Sequence, residues 1–105
     1  MVINEDILYS VGASIKTYAP SEVIFNEGDS PNYYYQIISG EVKLNNYNDE
    51  GKEVSEVLLK DGQSIGEASL FINKPYPHNA VVTKKSEIIR LPRKMFLDLL
   101  KYVLI

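Results

Sequence analysis

Two runs of this chain carry residues whose types and spacing suit chemistry: Gly66-Glu67-Ala68-Ser69-Leu70 and, shortly after, Pro75-Tyr76-Pro77-His78-Asn79-Ala80. The first reads as a strand end, a tight glycine turn and one helical turn carrying a carboxylate. Such a turn aims successive backbone N–H groups at one point, a geometry suited to a phosphate. Glycine there also leaves the backbone open to close approach, because it has no Cβ. The Glu67 carboxylate, beside those amides, is placed either to accept hydrogen bonds from sugar hydroxyls or to cap the short helix. Ala68 and Ser69 complete the candidate cradle, and His78, Asn79 and Ala80 close it from the second run. A histidine, with an unperturbed pKa of about 6.5, brings neither the permanent charge nor the bidentate fork of an arginine to an anion. The plainer reading of His78 is a rim residue at a loop–strand junction.

Composition narrows the classes. A chain of 105 residues, 45% hydrophobic and 24% charged, suits one domain with a real core. It has no cysteine, which excludes disulfides, thiolate metal sites, cysteine-held iron–sulfur clusters and thiol catalysis. One histidine cannot build a multi-histidine metal cage. No Gly-x-Ser-x-Gly elbow offers a nucleophile. The formal net charge of −3 argues against nucleic-acid binding by this stretch alone. No apolar run approaches the ~20 residues of a membrane span. Glu5 and Asp6 replace the basic start of a secretory signal, so a cytoplasmic location is expected.

The flanking elements must hold the two runs together. Asn4 caps a short helix with Glu5 and Asp6 in its first turn and Ile7, Leu8 and Val11 on one face, ended by Gly12. Strands follow at Ile15 to Ala19 and Val23 to Phe25, then a turn cluster over residues 26–32. Tyr33 to Ser39 and Glu41 to Tyr47 read as two strands separated by Gly40, with Tyr33, Tyr34 and Tyr35 facing alternate sides. A strand from Glu53 to Leu59 returns, and Asp61-Gly62 turns into Ser64-Ile65. Asn79 to Thr83 and Glu87 to Leu91 read as the last strands, with Lys84-Lys85-Ser86 as a solvated turn between them. Gly28, Gly40 and Gly66 each fall where a strand is expected to reverse. Pro92 suits the first position of a terminal helix, whose Met95, Phe96, Leu99, Leu100 and Val103 form one apolar stripe. The fold class implied is mainly β: an antiparallel double-stranded β-helix, or jelly roll, with short flanking α-helices. Residues 1–105 read as a single domain and, from the apolar end at Val103-Leu104-Ile105, as a fragment whose end suits the start of an interface.

Several marks, in this order and spacing, carry a resemblance. They are Ile24-Phe25-Asn26-Glu27-Gly28-Asp29, Tyr35-Gln36-Ile37-Ile38-Ser39-Gly40-Glu41-Val42-Lys43-Leu44, Gly66-Glu67-Ala68-Ser69-Leu70-Phe71, and Ile89-Arg90-Leu91-Pro92 with Phe96, Leu99 and Leu100. From Ile15 to Leu100 the chain resembles the cyclic-nucleotide-binding domain of the catabolite-activator and fumarate-nitrate-regulator (CRP/FNR) transcription-factor superfamily. The resemblance implies that the segment from Gly66 is a phosphate-binding cassette. Glu67 then matches the glutamate that binds the ribose 2′-hydroxyl, and the amides of the short helix hold the cyclic phosphate. Asn79 and Ala80 match the small residue and alanine that follow the family's phosphate-pairing arginine, and His78 stands in that arginine's place. Losing a charge-assisted pair of ~1.5–3 kcal/mol weakens affinity roughly ten- to a hundredfold, so tight cyclic AMP binding is not expected.

The implied function is ligand sensing in a bacterial transcription regulator, with no catalysis. No cofactor is fixed beyond a cyclic nucleotide or another small anionic effector. The implied partners are that effector, a second copy in a full-length homodimer, and DNA only through a C-terminal domain absent from this chain; no membrane partner is implied. The alternatives are the same module in a kinase, a channel or a stand-alone protein, and a roll that binds nothing. A cupin-type metalloenzyme shares the roll but needs clustered histidine and carboxylate ligands, which this sequence does not supply.

Overall fold

The computed structural model describes residues 2–103. In chain order its elements are α1 (Glu5–Ser10), β1 (Ser14–Tyr18), β2 (Val23–Phe25), β3 (Tyr33–Tyr47), β4 (Glu53–Lys60), β5 (Ser64–Ile65), α2 (Glu67–Ile72), β6 (Asn79–Pro92) and α3 (Arg93–Val103). Two long strands carry the architecture. β3 and β6 run antiparallel, and each is long enough to serve two short partners. β1 and β2 pair with the far and near halves of β6, while β5 and β4 pair with the near and far halves of β3. All pairings are antiparallel, which gives the expected mainly β roll with short helices at its flanks.

Two expected breaks are absent. Gly40 does not separate two strands, and Lys84-Lys85-Ser86 is not a turn; β3 and β6 pass straight through them. The chain bends instead by register shifts between Ile37 and Val42, which let one long strand follow the curvature of a roll. Gly40 makes the bend possible. Its φ is +126°, and a Cβ there would lie 2.7 Å from the Ser86 Cα and closer still to the serine side chain. Ser86 is buried, with its hydroxyl accepting from the Glu41 N–H (3.1 Å) and donating to the Lys84 carbonyl (2.7 Å). The bend is therefore stitched by a side chain pressed onto bare backbone.

Side-chain alternation along β3 divides the core in two. Tyr35, Ile37 and Val42 point into the roll, where they meet Phe25, Tyr76 and Ile88. Tyr34 points out under the helices and packs with Leu8, Leu70, Ile89, Phe96 and Leu100. The Tyr34 and Phe96 rings stack with centroids 4.5 Å apart. The Tyr34 hydroxyl donates to Gln36 Oε1 at 2.6 Å, and burial pushes that phenol well above its ordinary pKa. Gln36 also clasps both backbone groups of Ile3, accepting its N–H (3.0 Å) and donating to its carbonyl (2.8 Å). Asn4 caps α1 as expected, accepting from the Asp6 and Ile7 amides.

The helical ends differ from expectation in two details. Pro92 closes β6 rather than opening α3, a shift of one residue. Met95 is 40% exposed and lies off the stripe formed by Phe96, Leu99 and Leu100, which pack with Tyr34, Ile89 and Leu91 while Leu97 sits partly buried beside them. The Val103 side chain, Leu104 and Ile105, expected to begin an interface, lie outside the described residues. Among the described residues no helix is long and apolar enough to cross a membrane.

Candidate functional site

β5 delivers the chain to Gly66, whose left-handed conformation (φ +71°, ψ +20°) turns it directly into the six-residue helix α2. A Cβ at Gly66 would lie 2.8 Å from Cε1 of Tyr76, so glycine is required by both backbone and neighbour. A cavity of about 220 Å³ opens beside this turn. It is lined by Gly66, Glu67, Ala68 and Ser69 from the turn, by Pro77 and His78 from the second run, and by Phe25, Leu44 and Tyr76. Most of the candidate residues are thus gathered at one place. His78 sits half-buried on its wall.

Asn79 and Ala80 are not among the lining residues. Asn79 begins β6, and its Oδ1 accepts the Glu27 amide at 2.8 Å, tying the 26–32 loop to the sheet. Ala80 is fully buried in the roll core, in register with Leu44 and next to Phe25. Both are committed to assembling the walls.

The turn's polar groups are largely satisfied from within. The Ser69 amide donates to the Gly66 carbonyl at 3.2 Å. Burial pushes the Glu67 carboxyl up, but hydrogen bonds from its own backbone N–H and from the Ser64 side chain pull it down, and it sits below the usual glutamate pKa. Glu67 is therefore ionised at neutral pH, with its carboxylate beside its own helix end. At the other end of α2, Arg93 Nε donates to the Leu70 carbonyl at 3.0 Å, joining this helix to the first residue of α3. Arg90, facing the roll, lies over the Tyr33 ring, 4.7 Å from its centroid.

Electrostatically the cavity is one-sided. Its lining contains the Glu67 carboxylate and, among the described residues, neither lysine nor arginine. Among the described residues no cluster of three or more histidine or acidic side chains could hold a metal ion.

Tyr76, named in the second run, was assigned no role of its own there. It is 3% exposed and stacks on Phe25 with ring centroids 3.7 Å apart and planes 8° from parallel. Its hydroxyl donates to the Tyr33 carbonyl at 3.0 Å. Its amide donates to the Asp29 carbonyl (3.0 Å), and its carbonyl accepts from Gly28 (2.8 Å). Burial pushes its phenol up to about 12. A signal existed in the two flanking prolines, which hold the intervening residue in a fixed extended path. Tyr76 also lines a second cavity of about 280 Å³, together with Phe25, Tyr33, Tyr35, Asp29 and Asn32.

Comparison with known proteins agrees with this architecture. Residues 15–102 match the model of the cyclic nucleotide-binding domain family. The chain is 31% identical over 84 residues to the potassium channel KAT3 of Oryza sativa subsp. japonica, covering 80% of this chain and 16% of that protein. It is 30% identical over 86 residues to the cyclic AMP receptor protein of Thermus thermophilus, covering 82% of this chain and 40% of that protein. The crystal structure of Thermus thermophilus catabolite activator protein superposes with a TM-score of 0.83 at 28% identity, over 94% of this chain and 46% of that one. The chain thus spans less than half the length of these relatives. By its family match, its roll and its glycine–glutamate turn, the chain belongs to the cyclic-nucleotide-binding domains of the CRP/FNR superfamily.

Proposed function

We propose that this chain is the ligand-sensing domain of a CRP/FNR-type transcription regulator, with a cassette that does not hold cyclic AMP tightly. The observation that carries the second half is the cavity's charge. A cyclic phosphate placed against α2 faces Glu67 and finds His78 where a cationic fork is needed. The missing charge-assisted pair, ~1.5–3 kcal/mol, corresponds to roughly ten- to a hundredfold in affinity. The structural likeness to the Thermus catabolite activator protein supports the first half.

A ligand acts on such a domain only through different affinities for two arrangements of its helices. Here the coupling runs from α2 to α3 through the Arg93–Leu70 hydrogen bond and the Phe71–Phe96 ring contact, 5.8 Å between centroids. In the whole protein α3 leads on to a dimerisation helix and a DNA-binding domain, and the domain itself performs no catalysis. The rice channel match favours a second reading, the same module regulating a channel. A helix-turn-helix pattern in the sequence following Ile105 supports the regulator, and a channel pore elsewhere in the protein sinks it.

Isothermal titration calorimetry of the domain with cyclic AMP and cyclic GMP tests the cassette. The expected result is weak or undetectable heat for both nucleotides. Micromolar or tighter binding refutes the argument from the missing cation.

A further inference from the structure

We infer that Tyr76 sets what this cassette admits: its ring fills the space above Gly66 and closes the pocket to any ligand of nucleotide size. The inference rests on the reading of the α2 cavity as the domain's ligand site, and adds a steric barrier to the electrostatic one. The bare backbone of Gly66 is the point where a ligand would approach most closely, yet the Tyr76 ring already occupies it, 2.8 Å from where a Cβ would stand. Phe25 and Tyr76 line both cavities, so their stacked rings are the side chains the two spaces share. The cavities measure about 220 and 280 Å³, each below the ~300 Å³ at which pockets for drug-sized ligands begin. Joined, they fall inside that range.

The ring is pinned in place. Its hydroxyl is held by Tyr33, and its backbone by Gly28 and Asp29 on the 26–32 loop. The flanking Pro75 and Pro77 restrict the backbone, and a rotamer change must break the hydroxyl bond and the Phe25 stack together. Restoring an arginine at position 78 therefore leaves the room for a nucleotide still taken.

The test compares cyclic AMP binding by calorimetry for the parent domain, His78→Arg, Tyr76→Ala and the double variant, each checked for folding by circular dichroism. His78→Arg alone is expected to change affinity by less than about threefold, while adding Tyr76→Ala brings at least about a tenfold gain over it. Tyr76→Phe with His78→Arg keeps the ring and is expected to stay with His78→Arg. If Tyr76→Ala does not fold, Tyr76→Leu with His78→Arg keeps apolar cover on Phe25 and is expected to give a smaller gain in the same direction.

The inference is overturned if His78→Arg binds as tightly as the double variant, or if the folded double variant binds nothing. A tyrosine that only supported the core would lower the melting temperature on truncation and leave affinity unchanged. The two readings fail separately. The charge argument stands on the ratio of the double variant to Tyr76→Ala, expected at about tenfold or more, and the steric one on the ratio produced by removing Tyr76 at a fixed residue 78.

Discussion

Gly40→Ala is expected to be among the most damaging single-methyl additions to this chain. The φ of +126° at that position is open to glycine and costs an L-residue ~1–3 kcal/mol. The new Cβ would also overlap the Ser86 side chain and stand 2.7 Å from its Cα, so the β6 backbone must move, because turning the serine shifts only its Oγ. That displacement breaks the two hydrogen bonds of the Ser86 hydroxyl, to Glu41 and Lys84, at about 1 kcal/mol each. The combined loss is about 3–5 kcal/mol, a large part of the ~5–15 kcal/mol that holds a domain folded. Urea unfolding followed by circular dichroism reads this directly. With a slope of ~1–3 kcal/mol per molar urea, the midpoint falls by about 2 M. Ser86→Ala is the comparator, because it removes the two hydrogen bonds and leaves the backbone unstrained, for about 1–2 kcal/mol. A Gly40→Ala loss no larger than that of Ser86→Ala would refute the reasoning, since neither strain nor overlap would then be felt.

Two further outcomes follow from the buried polar groups. Burial raises the phenol pKa values of Tyr34, Tyr35 and Tyr76 in the folded state above the ordinary tyrosine value of about 10, Tyr76 to about 12. Their contribution to stability is therefore fully present below pH ~10 and lost as pH rises through the folded values. An alkaline titration followed by tyrosinate absorbance should show these rings ionising only as the protein unfolds; smooth ionisation of all eight tyrosines near pH ~10 in folded protein would contradict it. Gln36→Leu leaves the buried Tyr34 hydroxyl without its acceptor and unclasps Ile3, costing about 1–3 kcal/mol. Hydrogen exchange in α1 should quicken in this variant, and unchanged α1 protection would show that the clasp does not hold the helix.

What was legible in the sequence was what local chemistry decides. Asn4 as a cap, the β2 triplet at Val23 to Phe25, the Gly66 turn and the alternation of Tyr34 and Tyr35 depend on residues close in the chain. What was missed depends on contacts across it. Gly40 and Lys84-Lys85-Ser86 carry the composition of turns, but at Gly40 the glycine exists so that Ser86, some forty residues later, can press against it. No window of sequence contains both partners. Asn79 shows the same limit within the candidate site, because its side-chain oxygen accepts the backbone N–H of Glu27 on a loop assembled only in the fold. Met95 fits the helical spacing as well as Phe96 does, and only the position of β3 and β6 decides which of them is covered.

The glycine–glutamate turn that dominates the sequence signal is weaker evidence for a ligand than for a fold. A phosphate cradle needs unclaimed amides, a carboxylate turned towards a sugar, and a cation opposite. In this chain the Ser69 amide is claimed by Gly66, and the Glu67 carboxylate by its own N–H and Ser64. The space over Gly66 is claimed by Tyr76. Each feature has an intramolecular partner that gives it a reason to exist in a domain holding no nucleotide. The turn is also what carries β5 into α2, and α2 is what meets α3 through Leu70 and Arg93. Gly66 and Glu67 thus report that the roll is built and its helices are coupled. On the proposed reading, what the cavity takes is decided at positions 76 and 78, one side chain setting the room and the other the charge.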